Sequence, residues 1–335
     1  MQIIGQNLPN IPWEDRPAGC QEPVWRYSGN PVLGRNEQFK ARRTYNSAVV
    51  PFKNGFAGVF RADGRDGLAR LHSGFSKDGI HWELSKDVID WKDEDGNSWN
   101  PRYAYDPRVI PLEGRYYVVW CVDFGGPALG MGVTDDFVHF TRLENPTTPF
   151  NRNGVLFPRK IDGTYRMLTR PSDSGHTPFG DIYISESPDL VYWGRHRAVM
   201  KRGANGWWQD LKIGGGTVIE TSEAWLLLYH GVCQTCNGYV YSMGAALLDL
   251  EEPSKVLYRC AEAILTPEMP YETTGFVDNV VFPCAAVTDA ATGRIAVYYG
   301  CADTYTGICF TEAGLLADYI KTHSVLAPGD AEPGK

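Results

Sequence analysis

HSGFSKDGIHW (72–82) reads as a small-residue strand, a Ser-Lys-Asp turn and an aromatic closing residue. The same order of parts returns in GMGVTDDFVHF (130–140) and IYISESPDLVYW (182–193). It returns more weakly in YSMGAALLDLEEP (241–253) and TGICFTEAGLLADYI (306–320). The turn aspartates Asp78, Asp136, Asp189 and Asp249 fall 58, 53 and 60 residues apart, and the fifth copy has lost its Asp. Self-similarity at such a period marks an array of supersecondary units. Aspartate caps turns through hydrogen bonds to its own backbone, so these residues mark the fold and not a site.

Upstream of each copy lies a β-prone run: GFAGVFRA, RYYVVWCV, TYRMLTR, AWLLLYHG and RIAVYYG. Upstream of that lies another: NSAVVPF, DPRVIPL, NGVLFPRK, GGGTVIE and NVVFPCAAV. Turns such as Lys53-Asn54-Gly55, Glu113-Gly114, Asp162-Gly163 and Thr292-Gly293 join several of these pairs as hairpins. Five antiparallel units set radially make an all-β, five-bladed β-propeller, in which ring closure protects the sheet edges. The expected division is an N-terminal arm (1–45) packing on the propeller, a single catalytic propeller domain (46–322), and a C-terminal tail (323–335). A helix is expected only at GLLADYIKTHS, near the end.

Composition narrows the function. With Asp+Glu 40 against Lys+Arg 32, the net charge is −8, which excludes a general nucleic-acid surface. No run approaches the roughly 18 apolar residues of a membrane span, and the first residues lack a secretory pattern. The 8 Cys are scattered, several in apolar runs, which reads as reduced, buried thiols in a cytoplasmic protein. Cys233 and Cys236 form the one spaced pair, with no second ligand pair for zinc, so no metal or cofactor is expected.

In a propeller, the first strand of each blade lines the axis. First strands open with Asn46-Ser47, Tyr105-Asp106-Pro107-Arg108, Asn151-Arg152-Asn153, Lys212 and Asp278-Asn279. Second strands close with Arg61, Arg170, His230 and, just past Gly300, Asp303. A hairpin brings the start of one strand beside the end of the next, so both sets converge on one mouth. Arg152, Arg170, Lys212 and His230 then gather on an acidic protein, which suits one small oxyanion such as phosphate. Carboxylates are few in this set: Asp106, Asp303 and Asp278. An inverting hydrolase needs an acid and a base about 6.5–9.5 Å apart. Phosphate is already a nucleophile, so phosphorolysis needs only the acid. Asp106 is that acid, although an Asp before Pro107 serves equally well as a turn cap. Tyr105, Tyr241, Phe282 and His176 supply aromatic platforms suited to sugar faces.

The segments NSAVVPF, YDPRV, PFNRNGVLFPRKI, RPSDSGHTPFGDI, YHGV, NGYVYS and YYGCADT resemble the mannoside phosphorylases of glycoside hydrolase family 130 over about residues 11–322. The resemblance implies cleavage of a terminal β-1,4-mannosyl unit by inorganic phosphate with inversion, giving α-mannose 1-phosphate. It implies that Asp106 is the general acid, acting through the mannose 3-hydroxyl, and that Arg152, Arg170, Lys212 and His230 bind phosphate. Asn46, Ser47, Arg61 and Asp303 would surround the mannose, with Tyr105, His176, Tyr241 and Phe282 where the leaving sugar binds. The long motifs point to mannooligosaccharides or mannosyl-N-acetylglucosamine as substrates, and a homo-oligomer is expected, with the arm free to wrap a neighbour. The rivals are a β-mannosidase that uses water, an arabinan-type hydrolase needing three placed carboxylates, and a non-catalytic lectin.

Overall fold

The computed structural model describes residues 1–36, 41–172, 180–203 and 206–326. Five antiparallel sheets stand around one axis, with the first strands side by side at the centre. From the axis outward, blade one is Arg43–Phe52, Gly55–Asp63, Ala69–Ser76 and Glu83–Leu84. Blade three is Asn151–Leu156, Tyr165–Pro171, Ile182–Ser187 and Gly194–Met200, and blade four is Lys212–Glu220, Trp225–Thr235, Gly238–Leu248 and Val256–Arg259. Blade two, Ala104–Leu112, Arg115–Asp123, Pro127–Thr134 and Phe140–Leu143, gains two short outer strands, Trp91–Lys92 and Ser98–Trp99. The first of these pairs parallel to Phe140–Leu143.

Blade five closes the ring. Its strands Val281–Thr288, Arg294–Cys301 and Tyr305–Glu312 come from the end of the chain, and its outermost strand, Trp25–Arg26, comes from the start. Trp25 is buried and Trp13 packs edge-on against it at 5.3 Å, with Phe310 beneath both. Both tryptophans of the arm are therefore used within their own chain.

Alternation of side chains along each strand gives every blade two apolar faces, and these meet the faces of its neighbours. Between blades one and two, Ala48, Val50 and Val59 pack on Val109, Val118 and Trp120. Between three and four, Val155, Leu168 and Ile184 meet Ile213, Leu227 and Tyr229. Between five and one, Ala285, Tyr298 and Phe310 meet Val49, Phe56 and Phe60. The core is a ring of such interfaces, so the axis itself is left to polar groups at one end.

The turn aspartates act as expected. Asp78 Oδ1 accepts from the N–H groups of Ile80 and His81, Asp136 Oδ1 from Val138 and His139, and Asp189 Oδ1 from Val191 and Tyr192. Asp249 Oδ1 does the same for Glu251 and Glu252. In the fifth copy, where the Asp is missing, Ala313-Gly314-Leu315-Leu316 form the first turn of the helix Ala313–Thr322. Among the described residues no helix is long and apolar enough to cross a membrane.

Candidate active site

All five inner strands slip register near the same end. The shifts fall between Tyr45 and Ala48, Tyr105 and Arg108, Arg152 and Val155, Gly215 and Thr217, and Pro283 and Ala285. Each is a β-bulge, which leaves a residue unpaired and re-aims its side chain. In the first three blades the bulge residue is Asn46 (φ 48), Asp106 (φ 50) or Asn153 (φ 54). Short polar side chains tolerate this left-handed region best. The bulge leaves little room: a Cβ on Gly300 would stand 1.7 Å from Asn46 Oδ1, so a side chain at position 300 would have to displace the Asn46 amide.

One side of the mouth holds paired charges. Asp106 Oδ1 accepts from Asn46 Nδ2 and from Arg61 Nη1, each at 2.8 Å, and no described residue bonds its Oδ2. Arg61 Nε binds Asp63 Oδ1 at 3.1 Å, and Asp63 Oδ2 takes the Tyr45 hydroxyl at 2.9 Å and Arg43 Nη2 at 3.0 Å. The Arg61 guanidinium lies 4.2 Å over the Tyr45 ring. Asp303 stands near this network at a left-handed turn (φ 47). Burial pushes its carboxyl up to about 6, with Arg61 opposing and Asp106 and Asp63 adding to the rise.

The other side holds cations. Arg152 and Arg170 are partners across the first hairpin of blade three. Arg170 Nη1 donates to His230 Nε2 at 2.9 Å. His230 is fully buried, and burial followed by the charges of Arg170, Arg108 and Lys212 drives its pKa far down. The ring is therefore neutral, accepting at Nε2 and carrying its proton at Nδ1. Among the described residues, that Nδ1, Arg170 Nε and Asn153 Oδ1 are buried without hydrogen-bond partners. Gly180 lets Arg170 and Lys212 approach each other: a Cβ there would meet Arg170 Cδ at 2.8 Å and Lys212 Cβ at 3.2 Å. Lys212 Nζ sits 5.4 Å from the rings of both Tyr239 and Tyr241. No carboxylate among the described residues pairs with Arg170.

Tyr105 joins the two sides. Its hydroxyl accepts from Arg152 Nε at 3.1 Å, while the Arg61 guanidinium lies 5.4 Å from its ring. Phe282 packs 4.4 Å from His230, and Tyr241 lies 6.0 Å from it. The structure thus brings Asn46, Arg61, Tyr105, Asp106, Arg152, Arg170, Lys212, His230, Tyr241, Phe282 and Asp303 to one end of the axis. Ser47 is fully buried and its hydroxyl meets Thr306 Oγ1 at 3.3 Å, between blades one and five. Asp278 is spent on a loop, accepting from Gly275 N. His176 lies outside the described residues. Sequence reasoning missed Arg43, Tyr45 and Asp63. The only available signal was the alternation in RTYN and FRAD, which turns Tyr45, Arg61 and Asp63 toward the same mouth. Among the described residues no cluster of His, Cys, Asp or Glu could hold a metal ion.

A mouth with an anchored acid on one side and a buried guanidinium–imidazole pair on the other defines a propeller enzyme that handles an anion beside a neutral, hydroxyl-rich substrate. Residues 6–322 match the family described as β-1,4-mannooligosaccharide phosphorylase. The chain is 53% identical to the β-1,4-mannooligosaccharide phosphorylase of Ruminococcus albus, over 96% of this chain and 98% of that one. It is 35% identical to a 1,2-β-oligomannan phosphorylase of a Thermoanaerobacter species, over 86% of this chain and 96% of that one. Among solved structures, the β-1,2-mannobiose phosphorylase of Listeria innocua in complex with β-1,2-mannobiose superposes with a TM-score of 0.77 at 26% identity, covering 89% of this chain and 99% of that one. The chain belongs to glycoside hydrolase family 130, the mannoside phosphorylases.

Proposed function

We propose that the protein transfers the terminal mannosyl unit of β-1,4-mannooligosaccharides, or of mannosyl-N-acetylglucosamine, to inorganic phosphate. The reaction is a single displacement with inversion, and the product is α-mannose 1-phosphate. The β-1,4 linkage is favoured over β-1,2 by the margin in identity between the Ruminococcus and Thermoanaerobacter relatives. Asp106 is the general acid: Asn46 and Arg61 hold one of its oxygens, and the other is open to carry and deliver a proton. Arg152, Arg170, Lys212 and His230 bind phosphate. Asn46, Arg61 and Asp303 shape the mannose site, with Ser47 supporting it from its buried place between blades one and five, and Tyr105, Tyr241, Phe282 and His176 meet the leaving sugar.

The observation that carries this reading is the Arg170–His230 pair. A buried guanidinium bonded to a neutral imidazole is a costly arrangement in a protein, and a bound anion offsets the cost. Positive groups placed before the reaction also stabilise phosphate charge as it moves toward the anomeric carbon. Water as nucleophile has no use for them. No nucleic-acid or membrane partner enters the reading, and inorganic phosphate is a co-substrate, so no cofactor is needed. The reading includes a homo-oligomer in the cytoplasm, supported by the resemblance and by eight free cysteines, most of them buried. Phosphorus NMR of a mannotriose digest in phosphate buffer tests the proposal. Growth of an α-glycosyl phosphate signal matching the loss of mannotriose supports it, and free mannose with unchanged phosphate refutes it.

A further inference from the structure

Arg108 follows the acid by two residues and is only 2% exposed, yet no carboxylate among the described residues pairs with it. Its guanidinium crosses the axis instead. Nε donates to Gly216 O at 2.8 Å, Nη1 to Pro107 O at 3.0 Å and Asp106 O at 3.4 Å, and Nη2 to Pro283 O at 3.3 Å. These carbonyls belong to the bulges of blades two, four and five. A bulge interrupts the ladder and frees backbone groups that must find partners when buried. Position 216 has to be glycine for this approach, because a Cβ there would lie 2.8 Å from Pro283 O. The flat fork of an arginine spreads five donors over three nitrogens and so reaches carbonyls of three separate strands, a span that the single nitrogen of an ammonium does not cover. On its far side Arg108 borders a cavity of about 450 Å³, lined by the distal halves of the inner strands and by Ile4, Gly5 and Gln6.

We propose that Arg108 is a positioning residue for the reaction: it locks the bulge that carries Asp106 to the inner strand that begins at Lys212, and its charge adds to the field that draws phosphate. Its reach supports both parts. It holds the backbone of Asp106 directly, and it packs 5.4 Å from Phe282, the ring that packs tilted against His230. It is also one of the charges acting on His230. The inference rests on the phosphorolytic reading above.

The test compares Arg108→Met and Arg108→Lys with the wild type, by kcat and by KM for phosphate and for mannotriose. The cavity next to the side chain gives a shorter or uncharged residue space without a clash. A loosened acid should lower kcat about 10²-fold in Arg108→Met. Loss of a buried charge near the anion should raise KM for phosphate about tenfold. KM for mannotriose should stay within about threefold. Arg108→Lys should recover KM for phosphate but not kcat. A purely structural role predicts that kcat falls with the folded fraction while both KM values hold, and that outcome overturns the inference. So does a Lys variant with wild-type kcat, which decides the matter alone if Arg108→Met does not fold. The wild type is run with and without phosphate in the same series. Turnover that ignores phosphate breaks the phosphorolytic reading, while the kcat of the variants still reports on the hold over Asp106.

Discussion

The two sides of the mouth are built from the same bulged strands, yet they treat charge in opposite ways. On the acid side, charges alternate along one chain of contacts: Arg43 to Asp63, Asp63 to Arg61, Arg61 to Asp106. On the basic side, Arg170 meets a neutral histidine, and buried polar atoms of Arg170, His230 and Asn153 lack partners among the described residues. In the first arrangement each arginine faces a carboxylate and a carboxyl is held still, although Arg43 Nε and Asn46 Oδ1 find no hydrogen-bond partner among the described residues. The second is costly by itself, and under the proposed reading a bound phosphate offsets that cost. A neutral sugar and a phosphate need these two different settings. Under the proposed reading, the contrast also accounts for how an acidic protein would bind an anionic co-substrate: the positive groups are local and shielded from the surface charge.

Substitutions should break the two sides differently. Asp106→Asn should lower phosphorolysis by about 10²–10⁴-fold, the usual worth of a general acid, while phosphate still raises the melting temperature as in the wild type. Initial rates together with thermal shifts in phosphate check both halves of that statement. Arg170→Met should remove charge-assisted bonds worth about 1.5–3 kcal/mol, which raises KM for phosphate about 10- to 100-fold. Steady-state kinetics at fixed mannotriose will show it, and an unchanged KM would remove Arg170 from the phosphate site. Asp63→Asn should act on stability, because it strips two buried arginines of their shared carboxylate. A loss of about 3–5 kcal/mol is expected in urea unfolding.

The smallest effect concerns Asp303. Its carboxyl is raised from 3.8 to about 6, so the folded protein binds more protons than the unfolded chain between those values. Stability therefore falls as pH rises through that window and is level above it. Asp303→Asn should flatten the slope in melting temperature measured from pH 4 to pH 7. An unaltered slope would assign the titration to another group.

Much of this was readable in the chain. The Ser/Thr-x-Asp turns carry their own hydrogen bonds, so local chemistry reports the repeat. Hairpin pairing then places Asp106, Arg152, Arg170, Lys212 and His230 together. What was hidden depends on contacts far apart in sequence. Trp25–Arg26 is too short to read as a strand, and it becomes one only because Tyr305–Glu312 offers it an edge. The extra pair Trp91–Lys92 and Ser98–Trp99 passes for a long link between blades. The left-handed bulges were equally invisible, and it is they that turn Asn46 toward Asp106 and Arg108 toward Gly216. Asp63 gave no signal of its own, since its role exists only once Arg43 and Tyr45 are beside it.

The most direct test is cleavage of mannobiose in ¹⁸O-labelled water with unlabelled phosphate present. The account predicts mannose 1-phosphate without ¹⁸O at C1, formed in step with the released sugar, and no cleavage when phosphate is withheld. Two molecules of free mannose per mannobiose cleaved, formed without mannose 1-phosphate at a rate indifferent to phosphate, would contradict it.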